Sequence, residues 1–251
     1  MLKIEESEMK VIPVVDVLGG IVVNAAGGRR NEYQPLNSVL CKSTDPVKVA
    51  AALKTLEFDE LYVADLDAII HGSQNSSLYK NLVAETGLEL MVDAGVTSIK
   101  AAQEMFESGV SKVIIGTETL LRTSFVADAI ESFRSEKIMV SLDLMGGKVL
   151  GKFKYSKLVR PLALLHRFQE MGVSQIIVLD LTKVGSRKGV NKLFLKDIIR
   201  ETEIDVYVGG GVRDTKELLE MKDLGVIGVL IATALHSGDI SPKKLKQVEL
   251  L

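Results

Sequence analysis

Eight short runs rich in Val, Ile and Leu recur along this chain: "VIPVVD", "ELYVAD", "LELMVD", "KVIIGT", "IMVSLD", "QIIVLD", "IDVYVG" and "GVLIAT". Stretches of helical periodicity such as "PVKVAAALKTLE", "SIKAAQEMFESG", "PLALLHRFQEMG" and "DTKELLEMKDLG" lie between them, several with Gly where a helix should stop. Continuous apolar strands separated by helices imply a parallel sheet with helices on its outside. Eight such units in 251 residues match the size of a (β/α)8 TIM barrel, an α/β fold. An open doubly wound sheet is the alternative, but it would need fewer strands for this length.

The chain also repeats itself. "MVDAGVTS" at 91–98 matches "YVGGGVRD" at 207–214, and "VIIGTETL" at 113–120 matches "VLIATALH" at 229–236, both at an offset of 116. "YVADLD" at 62–67 matches "IVLDLT" at 177–182 at an offset of 115, and "VVDVLGG" at 14–20 matches "SLDLMGG" at 141–147 at an offset of 127. Four strand ends recurring in one order predict two half-barrels, about 1–125 and 126–251. Neither half could cover its own sheet edges, so the expectation is one domain over 1–251.

Composition narrows the function classes. A net charge of −2, 5% aromatic residues and no basic run argue against a nucleic-acid surface. No apolar run has membrane-spanning length, and the opening "MLKIEESEMK" alternates charges instead of forming a secretory signal. The single cysteine, Cys41, rules out an intramolecular disulfide and a cysteine zinc cage. A cytoplasmic protein with a small polar partner is expected.

In a TIM barrel the chemistry sits where strands end, and "VGGGVRD" is the seventh such end. Consecutive glycines turn tightly and present bare N–H groups, and a helix starting near Arg213 and Asp214 adds the positive end of its dipole. Gly210 and Gly211, with Thr233 after the eighth strand, are therefore the candidate phosphate site. By the repeat, Gly95, Gly116 and Thr117 would form a second one. Asp93, however, replaces the first glycine there, and a carboxylate about 4 Å from phosphate costs about 4 kcal/mol per charge pair at an effective dielectric near 20. A helix start returns only about 0.3 to 2 kcal/mol, so repulsion wins unless Asp93 is protonated, points away, or serves as a helix cap.

Asp16 and Asp143 end the first and fifth strands and face each other across the barrel mouth, which suits a division of acid and base duties. Asp65, Asp67 and Asp180 are expected to cap helices or bond loop N–H groups. No spacing indicates a metal. Arg29 and Arg30 in the long first loop, and Arg187 in the sixth, are candidate anion contacts. His71, beyond "DLDAII", is a candidate acid or base near neutral pH; His166 lies mid-helix and reads as structural, and His236 as peripheral.

"VIPVVDV", "YVADLD", "SKVIIGTETL", "VSLDLMGGKV" and "VYVGGGVRD", in duplicated halves, resemble the histidine-biosynthesis barrels over about residues 10–238. That family includes ProFAR isomerase and the cyclase subunit of imidazole glycerol phosphate synthase, and "SLDLMGGKV" leans towards the former. The resemblance implies a cofactor-free Amadori rearrangement of an aminoaldose with a phosphate at each end, with Asp16 at the general-base position. It also marks departures: Leu179 and Val184 stand where the family pattern has Thr and a catalytic Asp, and Asp93 intrudes on one phosphate pocket. The expectation is a divergent paralogue that performs an isomerase- or lyase-like step on a changed phosphorylated sugar or ribotide. Retention of the isomerisation with Asp143 or Asp93 as acid, and a non-catalytic binding barrel, are the alternatives.

Overall fold

All eight runs form strands in the computed structural model, which describes residues 9–251; the charged opening of the chain, residues 1–8, lies outside the described residues. The strands are β1 (Lys10–Leu18), β2 (Glu60–Asp65), β3 (Glu89–Asp93), β4 (Lys112–Gly116), β5 (Ile138–Met145), β6 (Gln175–Asp180), β7 (Asp205–Gly209) and β8 (Gly228–Ile231). Each runs parallel to the next, and β8 pairs back onto β1 from Lys10 opposite Gly228 to Pro13 opposite Ile231. The ring is closed. This is the (β/α)8 barrel, and the closure removes the open-sheet alternative.

Helices α1 (Pro46–Thr55), α2 (Ser76–Thr86), α3 (Ile99–Glu107), α4 (Ser124–Phe133), α5 (Pro161–Glu170), α6 (Lys192–Glu201), α7 (Thr215–Asp223) and α8 (Pro242–Gln247) surround the barrel. Polar side chains accept first-turn N–H groups at six starts: Asp45, Asn75, Ser98, Asn191, Asp214 and Ser241. Ser98 thus takes the cap role that Asp93 could have filled. Short elements not expected from the sequence decorate the mouth: strand Ile21–Asn24 beside β1, strand Gln34–Pro35 beside Ile21–Asn24, strand Lys148–Val149 beside β5, and short helices Leu66–His71 and Thr233–His236.

Side chains alternate between the two faces of each strand. Ile12, Tyr62, Met91, Ile114, Met139, Ile177, Tyr207 and Leu230, one from each strand, fill the barrel interior. Their neighbours, such as Val15, Val63, Val92, Val140 and Val229, pack outward with helix residues including Leu53, Leu82, Met105 and Phe168. The same parity decides which aspartates reach the mouth. Asp16, Asp93 and Asp143 share the inner face with the core residues of their strands, whereas Asp65 and Asp180 point to the outer layer.

Asp65 is buried and fully used: it accepts the Tyr79 hydroxyl at 2.5 Å, the Ala68 N–H at 3.0 Å and the Asn75 N–H at 3.3 Å. Asp180 accepts from the Thr182 N–H and hydroxyl, and Asp67 from the Gly19 N–H. Asp65→Ala strands a buried hydroxyl and removes a cap, so it should destabilise the barrel by about 2–4 kcal/mol in urea unfolding. Tyr79→Phe alone should cost about 1 kcal/mol, and adding it to Asp65→Ala should recover part of the loss.

Candidate active site

The C-terminal ends of the strands enclose a cavity of about 1110 Å³ including its mouth. Its charged lining consists of Asp16, Arg30, Asp93, Glu118, Asp143 and Arg187, and its glycine wall of Gly209, Gly210 and Gly211 with Thr233 beside it. Gly210 and Gly211 have φ of 90° and 86°, and a Cβ on Gly210 would lie 2.6 Å from the Asp180 carbonyl oxygen. Only glycine fits there. The N–H groups of Gly210, Gly211 and Val212 bond to no described residue. Free donors on residues that line the cavity, followed by the start of α7 capped by Asp214, are an arrangement that suits an anion.

Three carboxyl groups also line the cavity. Burial raises Asp16 to about 7, against the opposing pull of the Arg30 guanidinium, and no hydrogen bond contributes. Asp93 is also raised to about 7, by burial and then by the Asp143 charge, while the Gly95 N–H at 3.0 Å pulls it down. Asp143 is raised to about 6 by burial, moderated by the Glu118 N–H at 2.9 Å and the Ser141 hydroxyl at 2.7 Å. Each can exchange a proton near neutral pH, as acid–base catalysis requires. Arg30 pairs with Glu118 at 2.6 Å.

Loops after β1 and β6 meet over the cavity: the Gly27 N–H donates to the Val184 carbonyl at 2.9 Å, and a Cβ on Gly185 would lie 2.5 Å from the Ala25 carbonyl oxygen. Of the candidate residues, Asp16, Asp93, Asp143, Arg30, Arg187, Gly210, Gly211 and Thr233 line this cavity. Arg187 is paired with Asp239 at 2.6 Å. The others fall elsewhere. His71 is exposed at the end of helix Leu66–His71, and exposed Arg29 pairs with Glu32. Gly95, Gly116 and Thr117 lie behind the carboxylates, where Thr117 Oγ accepts the Asp143 N–H at 2.9 Å. His166 is exposed on α5, and His236 lies outside the cavity lining, buried with Nδ1 2.9 Å from the Ser38 hydroxyl.

Glu118, Tyr33 and Tyr62 line the site without having been singled out from the sequence. Position 118, two residues past the end of β4, carried a usable signal. The loop position of Tyr33 carried none. Val184, where the resemblance led to an expected acid, also lines the cavity.

The profile of the family described as "Histidine biosynthesis protein" matches residues 10–241. This chain belongs to that family. An uncharacterized protein of Methanocaldococcus jannaschii is 36% identical over 233 residues, 92% of this chain and 94% of the relative. The phosphoribosyl imidazole-4-carboxamide isomerase (ProFAR isomerase) of the same organism is 28% identical over 242 residues, 96% of this chain and 99% of the relative. The isomerase of Halothermothrix orenii is likewise 28% identical, over 95% and 99%. Among the described residues, no helix is long and apolar enough to cross a membrane.

The site carboxyls link stability to pH. Folded-state values near 7 and 6 lie above the ordinary 3.8, so the folded barrel holds protons that the unfolded chain has released. Their contribution favours folding at the acid end and is lost as pH rises through about 7. Urea-unfolding stability of the ligand-free protein should fall from about pH 5 to about pH 8, and Asp93→Asn should flatten that slope.

Proposed function

We propose that this barrel is an enzyme of the aldose–ketose isomerase type, acting on a phosphorylated sugar or ribotide that differs from the substrate of the imidazole-carboxamide isomerase. The observation that carries the reading is the set of unbonded N–H groups at Gly210, Gly211 and Val212 beside Thr233, facing titratable carboxyls across one cavity. The phosphate would sit on those donors and fix the sugar. Asp16, with no hydrogen bond to hold its proton, would remove a proton from the carbon next to the carbonyl or imine. Asp143, held by Ser141, Thr117 and the Glu118 N–H, would serve as the second proton site, so that the proton returns to the neighbouring carbon. No cofactor enters this scheme.

Two observations favour a changed substrate. One organism holds both the isomerase, at 28% identity, and a second protein at 36% to which this chain is more similar. Val184 offers no proton at the rim of the cavity.

Inorganic phosphate at about one hundred times its Kd should raise the melting temperature by roughly 5 °C or more, and Gly211→Ala should abolish that rise. A shift retained in Gly211→Ala would remove the phosphate assignment. In the source organism, deletion of this gene should be rescued by the wild-type chain and not by Asp16→Asn, for which a loss of at least about 100-fold in turnover is expected. Rescue by Asp16→Asn would mark a binding barrel, and growth of an isomerase-deficient strain on this chain would restore the histidine-pathway reaction.

A further inference from the structure

β3 and β4 stand four strands from β7 and β8 in a ring of eight, so the pole formed by Asp93, Glu118 and Asp143 lies across the cavity from the glycine cradle. At this second pole the donors nearest the carboxylates are already taken. The Gly95 N–H goes to Asp93 Oδ1 at 3.0 Å, the Glu118 N–H to Asp143 Oδ2 at 2.9 Å, and the Thr117 hydroxyl faces Asp143 Oδ2 at 3.4 Å. Gly116 has no side chain to separate the carboxylates: Asp93 Oδ2 and Asp143 Oδ2 each lie 3.1 Å from where its Cβ would be, which puts them within about 6 Å of each other.

The charges facing this space come from four strands and the first loop. Asp16 lies on β1, Glu118 follows β4, Asp93 ends β3, Asp143 lies near the end of β5, and the only cation of the pole among the described residues, Arg30, is paired with Glu118. Tyr62 from β2 and Tyr33 from the first loop complete the wall, and burial with the nearby carboxylates holds both hydroxyls in the neutral form. An anion entering here finds the Gly95 and Glu118 N–H groups and the Arg30 guanidinium already paired, which leaves the neutral Tyr33 and Tyr62 hydroxyls to offset several carboxylates. A cation finds converging acceptors.

Resting on the phosphate-binding reading above, we infer that the substrate carries a single phosphate and that its far end is a protonated nitrogen group, an amine or amidine, seated between Asp93, Asp143 and Glu118. Binding of such a group stabilises the ionised carboxyls and expels a proton from the pole near pH 7, whereas a second phosphate would draw one in.

The test is isothermal titration calorimetry of the whole protein at pH 7 with three series of graded chain length: alkyl phosphates, ω-aminoalkyl phosphates and α,ω-alkane bisphosphates. At the chain length that spans the cavity, the amino compound should bind at least about tenfold tighter than the alkyl phosphate, and the bisphosphate more weakly than either. Heats measured in buffers of different ionisation enthalpy should report more proton release for the amino compound than for the alkyl phosphate of the same length, the difference being the proton expelled from the pole. Asp93→Asn should bring the amino and alkyl affinities together. If that variant does not fold, Glu118→Gln should narrow the same gap. A bisphosphate that binds tightest, or equal amino and alkyl affinities, overturns the single-phosphate inference and leaves the phosphate cradle standing. If no series binds and inorganic phosphate gives no thermal shift, the cradle and this inference fall together.

Discussion

Closure of the sheet, with β8 pairing onto β1, forces half of every strand's side chains into one shared interior. The lower interior is filled by one large apolar residue from each strand, so that only the upper end is left open for a ligand. Whatever inward residue stands at a strand's C-terminal end must then face that opening. Parity alone therefore decides that Asp16, Asp93 and Asp143 meet in one cavity while Asp65, one residue beyond an inward position, is spent on Tyr79 and a helix start. A shift of one residue in any of these strands would exchange a chemical group for a structural one.

The two poles of the cavity illustrate how one backbone plan yields opposite polarity. Asp93 on β3 and Gly209 on β7 are equivalent by the 116-residue offset, as are Thr117 and Thr233. At β7 there is no side chain to take up the following N–H groups, which stay unbonded on residues that line the cavity. At β3 the carboxylate folds back onto the Gly95 N–H two residues later. A donor surface has become an acceptor surface through a local Asx-type contact, with no change in the strand or in the helix that follows.

The strands and the glycine triplet were legible in the sequence because both are local: apolar runs fix the strands, and consecutive glycines mark a close backbone approach. The inward direction of Asp93 also follows from counting residues along its run. What was not legible depends on contacts between distant loops. Arg30 reaches the cavity and Arg29 does not because the first loop is pinned by the Gly27 bond to Val184, which leaves Arg29 outside to pair with Glu32. His71 turns outward because the segment after β2 forms a short helix, an element whose length the periodicity is too short to reveal. His236 is buried because Ser38, nearly two hundred residues earlier, packs over it.

The same loop contact bears on the chemistry. With Val184, Leu181 and Gly185 lining the upper part of the cavity, the loop after β6 supplies apolar cover rather than a proton. Covering a site in this way removes water and strengthens the electrostatics beneath it. The groups able to titrate near neutrality are then those of the floor, Asp16, Asp93 and Asp143, raised there by burial. The groups suited to move a proton are thereby those at the floor of the cavity, Asp16, Asp93 and Asp143. A reaction that needs an acid at the rim is disfavoured by this arrangement, and one in which proton removal and return both occur at the floor is favoured.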